Sequence, residues 1–171
     1  MIDHADMVRR LIKPGAAILE TMTADRMNML HMAIGISGEA AELLAASEVD
    51  YLTMLEELGD CEFYIEGLRQ AVGVEPVATG MMVHPKGRVP LAIAAGEVLD
   101  QVKKHVIYNK PLDMDALRAA LYALEQGMVA ARNFARVTRD QCLAANIEKL
   151  GVRYQGLVYS DLAAQHRADK L

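Results

Sequence analysis

Two pairs of acidic residues, Glu39 with Glu42 and Glu57 with Asp60, sit inside the most apolar and helix-prone stretches of this chain. Each pair has i,i+3 spacing, so on a helix both carboxylates leave from roughly one face. Only fourteen residues separate the pairs. A fold that gathers four carboxylates in apolar surroundings must offset their mutual repulsion and their lost hydration. A hard divalent cation does both. Mg²⁺, with Mn²⁺ as a substitute, takes oxygen ligands at sites that also hold phosphates.

The apolar share of the 171 residues is 53%, yet aromatics supply only 5% and tryptophan is absent. Ala, Leu, Val and eleven Met carry the apolar content, a palette that favours packed helices over a β-sandwich. A formal charge of −5, with no outweighing basic run, argues against a nucleic-acid surface. Cys61 and Cys142 lack metal-ligand spacing, and Cys61 reads as a small buried hydrophobe. The opening MIDHADMVRR has no apolar signal core, and no uncharged apolar run is long enough for a membrane span. The expectation is a soluble protein of a reducing cytoplasm.

Periodicity and breakers divide the chain into helices. A short one over residues 4 to 20, with Met7 and Leu11 apolar, is interrupted near Pro14 and Gly15. Thr23 caps the next, which runs to Ala46 with Met27, Leu30, Ile34 and Ile36 as its apolar stripe. Gly35 and Gly38 weaken that helix and permit close approach of a neighbour. Asp50 caps a helix ending at Gly73, with a stripe of Leu52, Leu55, Leu58, Cys61, Ile65 and Leu68. Residues 74–90, rich in Pro and Gly, read as a loop between two halves, 22–73 and 91–155. Further helices are expected over Leu91–Tyr108, over Met114–Arg136 capped by Asp113, and from Thr138 to just before Gly151. The last has capping-box spacing to Gln141. The fold class is therefore all-α, an antiparallel helical bundle forming a single domain.

An internal echo points to two degenerate repeats arranged as a pseudo-dimer. Gly38-Glu39-Ala40-Ala41-Glu42 is answered by Gly96-Glu97-Val98-Leu99-Asp100. The echo fades where Leu55-Glu56-Glu57-Leu58-Gly59-Asp60 meets Leu121-Tyr122-Ala123-Leu124-Glu125-Gln126, which lacks the metal-competent acids.

In its GISGEAAELL and MLEELGDCEFYI segments, with their ExxE and ExxD spacing, the chain resembles the all-α nucleoside triphosphate pyrophosphohydrolases. That MazG-like superfamily includes dimeric dUTPases, dCTP pyrophosphatases and phosphoribosyl-ATP pyrophosphatase. Two further segments are similar to those of its small members: Lys103-Lys104-His105-Val106-Ile107-Tyr108-Asn109-Lys110, and Asn146-Ile147-Glu148-Lys149-Leu150. Their order departs from the family, because the basic stretch follows both complete acidic pairs instead of lying between them.

The resemblance implies hydrolysis of (deoxy)nucleoside triphosphates to monophosphate and pyrophosphate. Glu39, Glu42, Glu57 and Asp60 would form the metal shell, and one of them, or Glu56, would activate water. Lys103, Lys104 and Lys110 would clamp phosphates, Asn146 and Lys149 would close over the substrate, and His31 would line the base or sugar pocket, with Phe63, Tyr64 and Tyr108 against the base if a pocket lies between the halves. A homodimer is the implied assembly, unless the fused halves supply that interface. Plainer roles compete: a solvated helix end for the lysines, a structural histidine for His31, core packing for Phe63 and Tyr64. Two other functions stand beside the first. One is hydrolysis of another pyrophosphate-bearing nucleotide; the other is a degenerate bundle that binds nucleotides or proteins.

Overall fold

In the computed structural model, which describes residues 3–46, 50–76 and 88–170, eight α-helices carry the chain. They are α1 (His4–Leu11), α2 (Gly15–Leu19), α3 (Ala24–Ala45), α4 (Tyr51–Val72), α5 (Arg88–Val106), α6 (Met114–Ala135), α7 (Arg139–Arg153) and α8 (Asp161–His166). No strand occurs among the described residues, and no helix there is long and apolar enough to cross a membrane.

Local chemistry sets most of the boundaries. Thr23, Asp50 and Asp113 accept from the backbone N–H of Arg26, Thr53 and Ala116 at 3.3, 3.1 and 3.0 Å. At the start of α7 the capping box is closed. Thr138 accepts from Gln141 N at 3.1 Å, and the Gln141 side chain accepts from Thr138 N at 2.8 Å. Each cap contributes about 1 kcal/mol. Gly73 ends α4 at φ 66°, a left-handed conformation that costs a glycine nothing.

Three boundaries differ from the sequence reading. Helix α5 starts at Arg88, before Leu91, because Pro90 lies in its first turn, where a missing N–H is no loss. Its end falls at Val106, short of Tyr108. Helix α7 continues through Gly151 to Arg153, whose guanidinium grips Asp169 with two bonds of 2.6 Å. Of the loop expected over 74–90, residues 77–87 lie outside the described residues.

Contacts fix the helix directions. Gly35 faces Tyr64, and Glu39 meets Glu57, so α3 and α4 are antiparallel. Glu62 meets Arg132 and Arg69 meets Glu125, so α4 and α6 are antiparallel too. Leu91 near the start of α5 lies against Gly127 in the second half of α6, and the short connection from Val106 to Met114 joins their other ends, so α5 is antiparallel to α6. It follows that α4 and α5 run the same way, and α5 is antiparallel to α3, with Ser37 Oγ donating to Ala95 O at 3.3 Å. Helix α7 lies along α4, antiparallel again, from Glu62–Arg139 to Glu56–Lys149.

The buried stripe of α3 is Met29, Ala33, Ile36, Ala40 and Leu43. Of the residues expected there, Ile36 is buried and Leu30 partly so, but Met27 and Ile34 are 46% and 54% exposed. The larger side chains suggested one face, whereas the alanines mark the side that both α4 and α5 approach. On α4 the expected stripe holds from Leu55 to Leu68, but Leu52 lies on the surface. Cys61 and Cys142 are free and buried.

At the crossing of α4 and α7, a methyl group on Gly59 would stand 2.8 Å from the Cys142 carbonyl oxygen and 3.0 Å from Asn146 Cβ. Backbone cannot yield as a flexible side chain can. Gly59→Ala is therefore expected to cost about 1–3 kcal/mol. Urea unfolding would show this as a lower midpoint at unchanged slope; an unchanged midpoint would show that α7 is free to move away.

Candidate metal centre

Helix α3 brings Glu39 and Glu42 to its final two turns, and the antiparallel return of α4 sets Glu57 opposite them. One carboxylate oxygen from each of the three lies within 4.8 Å of the other two. Glu57 is buried, Glu39 half-buried and Glu42 exposed, so the group opens to solvent on one side. Three hard oxygen donors converging from two rigid helices can hold a divalent cation.

The carboxylates also crowd one another. Burial raises the Glu39 carboxyl most, followed by its hydrogen bond to Glu57 and the charges of Asp60, Glu42 and Glu57, to about 8. Burial raises Glu57 as well, but there the bond from Glu39 works the other way. Crowding thus favours the protonated form of Glu39, which can donate to the Glu57 carboxylate. A divalent cation would relieve the same crowding of negative charge.

Asp60 lies one turn further along α4 and is occupied differently. Asn146 Nδ2 donates to its Oδ1 at 2.7 Å, and Lys149 Nζ bonds its Oδ2. The same ammonium reaches Glu56 Oε1 at 3.1 Å. Burial works against the charge on Lys149, but the bonds and charges of Asp60 and Glu56 prevail and raise its pKa. Asn146 and Lys149 thus come from α7 to the acidic face of α4.

His31 is exposed on α3 and packs edge-on to the Tyr64 ring at 6.0 Å, with Phe63 against Tyr64 at 5.3 Å. A Cβ at Gly35 would strike the Tyr64 ring, whereas Gly38 faces open space. Burial raises the Tyr64 phenol; the charges of Glu39 and Asp60 and the nearby Tyr154 add to the effect, and Arg153 opposes it. Arg153 and Tyr154 are neighbours that the sequence did not single out. They end a helix whose register on α4 no local pattern announces.

The basic stretch lies elsewhere. Ser37 and Ala95 set the register of α3 against α5, which puts Lys103 about 15 Å along the axis from Glu39 at 1.5 Å per residue. Lys103 and Lys104 both pair with Asp100 at 2.6 Å. Tyr108 is exposed, and the backbone oxygen of Lys110 pairs with His105 Nδ1 at 2.7 Å. The structure thus brings together Glu39, Glu42, Glu57, Glu56, Asp60, Asn146 and Lys149, with His31 and Tyr64 beside them. It does not bring Lys103, Lys104, Tyr108 or Lys110 to that face.

Comparison with protein-family models, with curated proteins and with solved structures finds no match to this chain. Fold and site by themselves define an all-α antiparallel bundle with a glutamate cluster able to chelate a divalent metal.

Proposed function

We propose that this protein is a Mg²⁺-dependent hydrolase that converts nucleoside or deoxynucleoside triphosphates to monophosphate and pyrophosphate. One observation carries the reading: Glu39, Glu42 and Glu57 converge across the α3–α4 hairpin. The donor set fits Mg²⁺, being all carboxylate oxygen and part-exposed. When bound, the ion would neutralise triphosphate oxygens and acidify water.

The chain's own groups would do the rest. Water must reach the α-phosphorus, lose a proton to a carboxylate and expel pyrophosphate from the opposite side, which is chiefly a matter of positioning. Asp60 and Glu56, neighbours of Glu57 on α4 and steadied by Lys149, are the candidates to orient that water. Asn146 and Lys149 offer N–H donors to the phosphates from α7. Tyr64, with His31 at its edge, offers a flat apolar wall for a base. Lys103, Lys104, Tyr108 and Lys110 gain no support from their placement. On the same reading, α5–α6 is a degenerate copy of α3–α4, whose Asp100 now serves its own lysines.

A panel of ribo- and deoxynucleoside triphosphates incubated with Mg²⁺ tests this directly. The expected products are pyrophosphate and nucleoside monophosphate, lost on chelation. Orthophosphate and diphosphate, or no turnover of any triphosphate, would overturn the assignment.

A further inference from the structure

Five carboxylates, Glu39, Glu42, Glu56, Glu57 and Asp60, line one face of the α3–α4 hairpin, yet only three of them form the metal-competent group. The other two share a cation that the chain itself supplies. Lys149 Nζ bonds both Glu56 and Asp60, and its side chain is only 11% exposed, against 30% and 18% for its partners. An ammonium so deeply covered, with two carboxylates on it, is held as part of the site and not as surface decoration.

We propose that Lys149 is a tethered counter-cation that limits the site to one divalent ion, at Glu39, Glu42 and Glu57, by holding the position beside Asp60 that a second ion would need. This rests on the metal-binding reading above. The placement is built in several parts. Gly59 lets α7 approach α4 closely, with Cys142 and Asn146 directly over it. Asn146, three residues before Lys149 and on the same face of α7, bonds Asp60 Oδ1 while Lys149 takes Oδ2. Both oxygens of Asp60 are thereby engaged from within the chain.

The chemical consequence is a division of labour. An ammonium neutralises charge and donates hydrogen bonds, but it has no coordination position at which to bind or acidify water. A single ion held by Glu39, Glu42 and Glu57 would then supply the acidifying charge for water, while Lys149 neutralises Asp60 and Glu56 at no entropic cost of capturing an ion from solution.

The test counts ions, without nucleotide and without turnover. The metal-depleted full chain is titrated with Mn²⁺, and bound ions are measured by calorimetry and by the electron paramagnetic resonance of the free ion. Wild type is expected to bind one Mn²⁺ per chain. Lys149→Met, which keeps the apolar stem and loses the charge, is expected to bind two, and Lys149→Met with Asp60→Asn one again. Thermal melting of each variant confirms that it is folded, and Lys149→Arg, which keeps a cation, should bind one. Two ions on wild type, or one on Lys149→Met, would overturn the proposal and leave the glutamate site standing. No ion on wild type would remove the metal-binding reading itself.

Discussion

On the proposed function, Glu39→Gln is expected to lose Mg²⁺-dependent turnover by a factor on the order of 10² or more, yet its metal-free form should melt above wild type. Both effects have one origin. A bound cation would need the Glu39 carboxyl as an anion, and without a cation that anion is unwelcome. Burial and the charges of Asp60, Glu42 and Glu57 push it up to about 8 from an ordinary 4.5. A glutamine keeps the hydrogen bond to Glu57 at every pH and never ionises. Because the site is open to solvent, only part of the shift becomes stability, about 1–2 kcal/mol. For a chain of this length, that is roughly 2–8 °C.

The pH dependence follows in sign. A carboxyl whose folded pKa is raised binds its proton more tightly folded than unfolded. Metal-free stability therefore falls as pH rises from about 4.5 to about 8 and levels off above that. The advantage of Glu39→Gln should widen through the same window. Metal affinity should climb across it, because binding must release the proton. Melting curves in chelator across that range check the first point, and Mn²⁺ titration checks the second. A variant that melts at or below wild type at every pH would mean that these carboxylates do not crowd one another.

The second large effect lies away from the site. Arg69→Leu is expected to destabilise the bundle by about 3–5 kcal/mol, a fall in melting temperature on the order of 10 °C. Arg69 on α4 is 6% exposed and pairs with Glu125 on α6, itself only 12% exposed. Removing the cation strands a buried carboxylate. Removing both charges does not. Among the described residues Arg69 Nε also has no hydrogen-bond partner, so the pair is imperfectly satisfied there even when intact. Arg69→Leu with Glu125→Leu should recover most of the loss, which a double-mutant cycle would report as a coupling of several kcal/mol. If the double variant melts as low as the single one, packing around the pair, and not its charge, is what the bundle requires.

That pair, and the Glu62 carboxylate held by Arg132 at 2.7 Å and Arg139 at 2.9 Å, had no sequence signal. Their partners stand 56 to 77 residues apart, and nothing local distinguishes a buried Arg from an exposed one. The acidic pairs were legible for the opposite reason. Their i,i+3 spacing and apolar neighbours are properties of one helix each, and a short connection leaves an antiparallel return as the simplest path. Asn146 and Lys149 were singled out by likeness to other proteins; periodicity alone would have left them on a polar helix face.

What the amino-acid order settled by itself is what depends on near neighbours. Caps at Thr23, Asp50, Asp113 and Thr138, the left-handed Gly73, and carboxylates on one side of each acidic helix all follow from chemistry within a turn or two. Which stripe of α3 faces inward, the pairing of Lys149 with Asp60, and the remoteness of Lys103 from the glutamates needed the assembled bundle. A helix states its own period but not its register against another, because that register is chosen by side chains far apart in the chain meeting at close range.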